Sequence, residues 1–233
     1  MSIRSVIMDA LNNEFINAIQ TELTYNANKN IEPLVDDNLE LAIKTVTLVL
    51  FDDVEVLDFA GPYEVFSLTR QLNNNKLFKV QTASLCGDSV VAKNGLSISP
   101  DVALDEVQTT DLLLIPGGDG VKQVLKNKRL LRQIERLATE AQYVLSVCTG
   151  AVVLAKLGIL KHRQATTHHQ AFEWLAEIDP SCQVLTGSRF VDTGDVITCG
   201  GTSAGIDMSL YMIEKLTSRE IRKATQGYME YQN

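Results

Sequence analysis

From residue 45 onward, short runs that are almost wholly β-branched or apolar alternate with longer runs that are apolar at every third or fourth position. "TVTLVLF" (45–51), "DLLLIPGG" (111–118) and Tyr143 to Val147 carry no polar face, as expected of strands covered on both sides. "LFKVQTASLC" is a further strand. Helical spacing follows each. One helix is predicted from about Gly61, with Pro62 in its first turn, where a missing N–H costs nothing. Others are predicted over the basic amphipathic "NKRLLRQIERLATEA", over Ala151 to Leu157, around "QAFEWLAEI", and from Ser203 to Leu216. "TSRE" then supplies a capping box, Thr217 with Glu220, for one more. Two hairpins interrupt the alternation. "SVVAKNGLSISP" turns at Asn94-Gly95 and "RFVDTGDVITC" turns at Thr193-Gly194. Such a pattern predicts an α/β fold, a mainly parallel sheet sandwiched by helices, with ligands at the carboxyl ends of its strands.

Residues 1–44 follow a different rule. Leu11, Phe15, Ile19 and Leu23 recur every four positions, one helical stripe with Asp9 placed as its N-cap. The stripe fades into "YNANKNIEPLVDDN", a polar connector containing Pro33. Two parts are therefore expected: an N-terminal helical extension and connector over 1–44, and the α/β domain over 45–233.

Composition narrows the function more than the fold. A formal charge of −8 over 233 residues leaves no basic footprint for nucleic acid. No apolar run reaches the roughly 20 residues of a membrane helix, so no membrane partner is expected. The start, "MSIRSVIMDALNNEF", lacks the form of a signal peptide. Cysteines 86, 148, 182 and 199 form no C-x-x-C pair, which suits free thiols in a reducing cytoplasm.

In "YVLSVCTGAVVLAKLG" (143–158) a cysteine sits where a strand meets a helix. A nucleophile elbow needs a sharp turn there, with small residues two positions either side; Ser146 and Gly150 occupy those places around Cys148. A helix N-terminus would also stabilise a thiolate and depress its pKa. Buried structural cysteine is the competing reading. Cys199 in "VITCGGTSAGID" also ends a strand, but the two glycines after it favour close backbone packing and a structural role. Backbone amides of Gly117, Gly118 and Thr149 are candidate donors for developing negative charge. "IPGGDG" matches neither a P-loop nor a dinucleotide fingerprint. Asp58, in "EVLDFAGPYEVF", reads from its spacing as an N-cap, with a position facing the thiol as the other reading. His168 and His169 are the remaining bases; neighbours rarely face one point, so at most one takes part. No H-E-x-x-H and no zinc-spaced cysteine pair occurs, so no metal is expected.

The segments "LFDDVEVLDFAGPYEVF", "DLLLIPGGDGV", "YVLSVCTGAVVLAKLGIL", "ATTHH" and "GDVITCGGTSAGIDMSLYMIEKL" occur in that order. Together they resemble the ThiJ/PfpI superfamily over residues 45 to 226. The aspartate of "LDFAGP" and the threonine of "SVCTG" are similar to its isonitrile hydratase branch. This resemblance implies a flavodoxin-like fold of the class I glutamine amidotransferase type, a nucleophile at Cys148, and a carboxylate at Asp58 approaching that thiol. It implies further that Thr149 positions substrate or water and that Gly118 lies in the donor loop, while His168 aligns with a histidine near the site in much of the superfamily. A homodimer without metal or organic cofactor, acting on a small-molecule electrophile, is the implied form. Some relatives carry a C-terminal helix-turn-helix pair; this chain ends at 233 without room for one, and no nucleic-acid partner is expected. Oxidation sensing at Cys148, a ligand-binding scaffold that has lost its chemistry, and lyase or hydrolase activity on glyoxals are the alternatives to hydration.

Overall fold

The computed structural model describes residues 42–70 and 74–232. The expected helical stripe and most of its connector lie outside them. The first strand begins at Lys44, one residue before the expected domain boundary.

In chain order the elements are β1 (Lys44–Val49), α1 (Val56–Leu68), β2 (Phe78–Ser84), β3 (Val90–Val91), β4 (Ser97–Ile98), β5 (Val102–Ala103), β6 (Leu112–Ile115), α2 (Val121–Val124), α3 (Lys128–Glu140), β7 (Tyr143–Val147), α4 (Gly150–Lys156), β8 (Gln164–Ala165), α5 (Phe172–Ile178), β9 (Gln183–Val184), β10 (Phe190–Asp192), β11 (Val196–Cys199), α6 (Ala204–Leu216) and α7 (Arg219–Tyr228). Seven strands form one sheet in the order β10-β11-β7-β6-β1-β2-β5. Every pairing in it is parallel except β10 with β11. The central strands are apolar because both faces are covered: Leu112, Leu113, Leu114 and Ile115 of β6 are all fully buried. Helices α1, α6 and α7 pack in succession, as do α2, α4 and α5, and these two groups flank the sheet. The mainly parallel, helix-flanked sheet is the architecture expected from the alternation.

The hairpin β3–β4 forms as expected, with Asn94 and Gly95 both at positive φ in its turn. Three local expectations are corrected. Helix α1 starts at Val56, not Gly61, so Pro62 lies inside it. Glu55, extended at φ −73° and ψ 122°, is the N-cap, and Asp58 sits one turn in as a first-turn residue. Close packing accompanies the interior proline: a Cβ on Gly205 of α6 would come within 3.3 Å of the Pro62 ring, and one on Gly61 would meet Ile206 at 2.9 Å. The glycines let α1 and α6 approach closely. The cap of α7 is Ser218, whose hydroxyl accepts from the Ile221 amide, rather than Thr217. The Thr217 hydroxyl is turned back onto the Ile213 carbonyl of α6, 2.5 Å away, leaving the next residue extended and free to cap.

Candidate active site

Strand β7 runs into α4 through Cys148, whose φ of +56° lies in the left-handed region. For a residue with a Cβ this conformation costs about 1–3 kcal/mol and persists only where its surroundings enforce it. They do so here from both sides. The Cys148 N–H donates to the carbonyls of Cys199 (3.2 Å), at the end of β11, and of Gly200 (3.0 Å), just after it. Its carbonyl accepts from the Thr167 hydroxyl at 2.6 Å. Gly150 completes the turn by letting α4 begin against β6: a Cβ there would lie 2.1 Å from the Ile115 carbonyl oxygen. On helix propensity alone, alanine at this position would stabilise by about 1 kcal/mol. The obstacle is backbone of a central strand, so Gly150→Ala is expected to destabilise by about 3 kcal/mol. A urea midpoint at or above the wild-type value would refute this.

Asp58 is fully buried beneath the turn. Its Oδ2 accepts from the Gly117 amide at 3.0 Å and its Oδ1 from the Thr202 amide at 3.1 Å. The Cys148 thiol is a neighbour whose interaction with this carboxylate lowers the pKa of Asp58 and raises that of the sulfur. Burial pushes Asp58 up to about 6 against the pull of these donors. The thiol moves further: burial, then the Asp58 charge, pushes Cys148 up to about 12. The Thr149 amide and side chain pull the other way but offset only part of this. This direction is opposite to that expected of a thiol at a helix end: α4 has only seven residues, and burial of the sulfur, followed by the Asp58 charge, is the larger influence. Asp58 opposes ionisation of the thiol, so the pair holds a proton at neutral pH.

The glycine loop after β6 is built around this pair. A Cβ on Gly117 would fall 2.8 Å from that of Cys148 and 2.6 Å from the Thr149 nitrogen. Gly118, at φ +128°, passes so close to the chain before α1 that a Cβ would meet the Asp53 carbonyl at 2.3 Å. Both amides are already engaged, Gly117 with Asp58 and Gly118 with the Thr149 hydroxyl at 3.0 Å. Neither is a free donor in this state, and of the three amides considered only that of Thr149 bonds the sulfur. His168 caps a 3₁₀ turn, its Nδ1 accepting from the Gln170 amide at 3.4 Å. Its ring packs where a Gly201 side chain would otherwise sit, beside the Thr202 amide that holds Asp58. Burial, His169 and Lys93 lower the His168 pKa, so the ring is neutral at pH 7. The structure thus gathers Cys148, Asp58, Thr149, Gly117 and Gly118 in direct contact and places His168 behind the Gly201–Thr202 turn.

Cys199 is fully buried and held well above its usual pKa by burial, a core position. Cys182 is buried and Cys86 exposed; all four thiols are free. No group of three histidine, cysteine or carboxylate side chains able to hold a metal occurs among the described residues. Two contributors escaped the sequence reading, and a third, Thr202, was placed near the pocket without its role. Thr167, in the quoted "ATTHH", fixes the turn; the Thr202 amide fixes Asp58; Glu55 stands at the N-cap position of α1 and joins the loop through its own N–H to the Gly117 carbonyl at 2.9 Å. Nothing in their spacing marks them, since each acts across a long loop.

An α/β protein with a cysteine held at left-handed φ between a buried strand and a helix, and a buried carboxylate against it, is the class that fold and site define. A sequence model of the DJ-1/PfpI family matches residues 44–215, and the chain belongs to that family. It is 30% identical to an isonitrile hydratase of Pseudomonas putida over 186 residues, 80% of this chain and 78% of the relative. It is 26% identical to the HTH-type transcriptional regulator GbdR of Pseudomonas aeruginosa, covering 81% of this chain but only 51% of that regulator. The fold is shared with a ThiJ/PfpI family protein from Pseudomonas syringae, with a TM-score of 0.75, 24% identity and coverage of 88% and 84% of the two chains. The expectation of no nucleic-acid partner gains no support from these relatives. Among the described residues no helix is long and apolar enough to cross a membrane.

Proposed function

We propose that the protein hydrates an isonitrile, or a similar small electrophile, to an N-substituted formamide. The observation that carries this reading is the Asp58 carboxylate, fully buried, gripped by two backbone amides and close enough to the Cys148 thiol to raise its pKa. An isonitrile carbon accepts a proton and a nucleophile at the same atom. As sulfur bonds to that carbon, its proton passes through Asp58 to the same carbon, giving a thioimidate. Water then adds across the C=N bond, hydroxyl to carbon and a proton to nitrogen by way of Asp58. The C–S bond breaks as the hydroxyl becomes a carbonyl, and its proton returns through Asp58 to sulfur. The sum is one isonitrile and one water to one formamide. General acid–base transfer by one positioned carboxylate suits every step. Thr149, next to Cys148 with its hydroxyl held on the Gly118 loop, orients the water or substrate.

The relative from Pseudomonas putida supports the substrate class. The active form on this reading is a cytoplasmic homodimer without a cofactor, with the chemistry in residues 45–233. The test is ultraviolet detection of N-aryl formamide when the full chain meets an aryl isonitrile. Steady production above the buffer rate supports the reading, and a rate equal to buffer overturns it.

A further inference from the structure

The walls around Cys148 carry charges that are already paired, and the pairs do not cancel. Lys93, in the turn of the β3–β4 hairpin, donates its backbone N–H to the Val54 carbonyl at 2.9 Å. Its Nζ lies 3.6 Å from Glu55 Oε2 and 3.3 Å from Asp119 Oδ2. Those two carboxylates sit on the backbone that encloses the thiol: Glu55 through its bond to Gly117, and Asp119 directly after Gly118. Asp58 forms the floor. Around the elbow, carboxylates therefore number three (Asp58, Glu55, Asp119) against one cation (Lys93), with His168 neutral. The exposed Asp52 and Asp53 beside the hairpin add the same sign. Glu55 is felt across the site, raising the pKa of both Asp58 and His168.

We propose that this ring makes the approach to Cys148 selective for uncharged electrophiles, with Glu55 as the residue that sets the selectivity. A carboxylate-bearing substrate would meet a negative floor and rim whose one cation, Lys93, is already engaged, whereas a neutral one meets no opposing field. Charges at this range act through part protein and part water, so each is worth roughly a three- to tenfold change in rate at low salt. For the identity of the electrophile this inference rests on the hydration reading; the charge preference itself belongs to the site.

The test compares kcat/KM for phenyl isonitrile and 4-carboxyphenyl isonitrile with the full chain at low ionic strength. Preference for the neutral substrate by about tenfold or more is expected. Glu55→Gln should narrow the preference, Lys93→Gln should widen it, and added salt should compress it. A second measurement needs no turnover. Alkylation of Cys148 by iodoacetamide and by iodoacetate is read by peptide mass, and the ratio is normalised to that of N-acetylcysteine. The same order of wild type and variants is expected. No hydration with this order intact overturns the hydration reading alone. Equal normalised rates for the two reagents, or a ratio unmoved by both substitutions, overturn the charge filter.

Discussion

Cys148→Ala is expected to lower formamide production by about 10³-fold or more, the scale on which loss of a nucleophile acts in covalent catalysis. The expectation follows from where the sulfur stands. Asp58 acts on two thiols, Cys148 and Cys199, and of these Cys199 is fully enclosed in the core, whereas Cys148 stands at the elbow. Alanine keeps the Cβ, so the backbone at φ +56° and its bonds to Cys199, Gly200 and Thr167 are retained. Stability should therefore shift by no more than about 1 kcal/mol, because only one small, nearly buried sulfur is removed. Loss of turnover in a protein that unfolds at the wild-type urea concentration assigns the nucleophile. Full hydration by Cys148→Ala would sink the covalent route and leave Asp58 and water to act alone.

The framework that positions this sulfur was legible because its strands are buried on both faces. "DLLLIPGG" and Tyr143 to Val147 could be recognised from composition alone. The elbow was legible for a related reason: Ser146 and Gly150 report a steric demand local to five residues, which the 2.1 Å approach of Gly150 to Ile115 makes explicit. Asp58 was harder. A carboxylate near a helix start is an N-cap in most sequences, and Pro62 looked like a first-turn residue. The helix begins five residues earlier, which rotates Asp58 from cap to core. The resemblance to a known family, rather than the spacing, set it facing the thiol. What could not be read was the electrostatics. The Thr202 amide reaches Asp58 from 144 residues away and Thr167 reaches Cys148 from 19. A helix end predicts an acidic thiol until burial and a neighbouring carboxylate are known to oppose it.

Asp58→Asn is expected to separate two quantities that an activated thiolate would join. Hydration should fall by about 10² to 10⁴, the scale of one general acid–base group. Alkylation of Cys148 by iodoacetamide at pH 8 should become faster, because the carboxylate that raises the thiol pKa is gone. A thiol that becomes more reactive while turnover collapses identifies Asp58 as the proton carrier. Parallel loss of both would mean that the carboxylate serves to create the thiolate, contrary to the mechanism proposed. Stability provides an independent reading. The Asp58 carboxyl titrates near 6 when folded and near 3.8 when unfolded. Between those values the folded state binds more protons than the unfolded one, so stability falls as pH rises from about 4 to about 6 and is flat above. The shift corresponds to about 3 kcal/mol of strain present at pH 7 and absent below pH 4. Asparagine keeps an acceptor for one of the two amides, Gly117 or Thr202, and its NH₂ opposes the other, at a cost that does not vary with pH. The depressed carboxylates Asp192 and Asp195 have the opposite pH slope at lower pH, and they cancel between wild type and variant. The stability of Asp58→Asn relative to wild type should therefore rise by about 2–3 kcal/mol between pH 4 and pH 7 in urea titrations. A difference that stays constant over that range would show that Asp58 is not held at raised pKa, and the shared proton would have to be placed elsewhere.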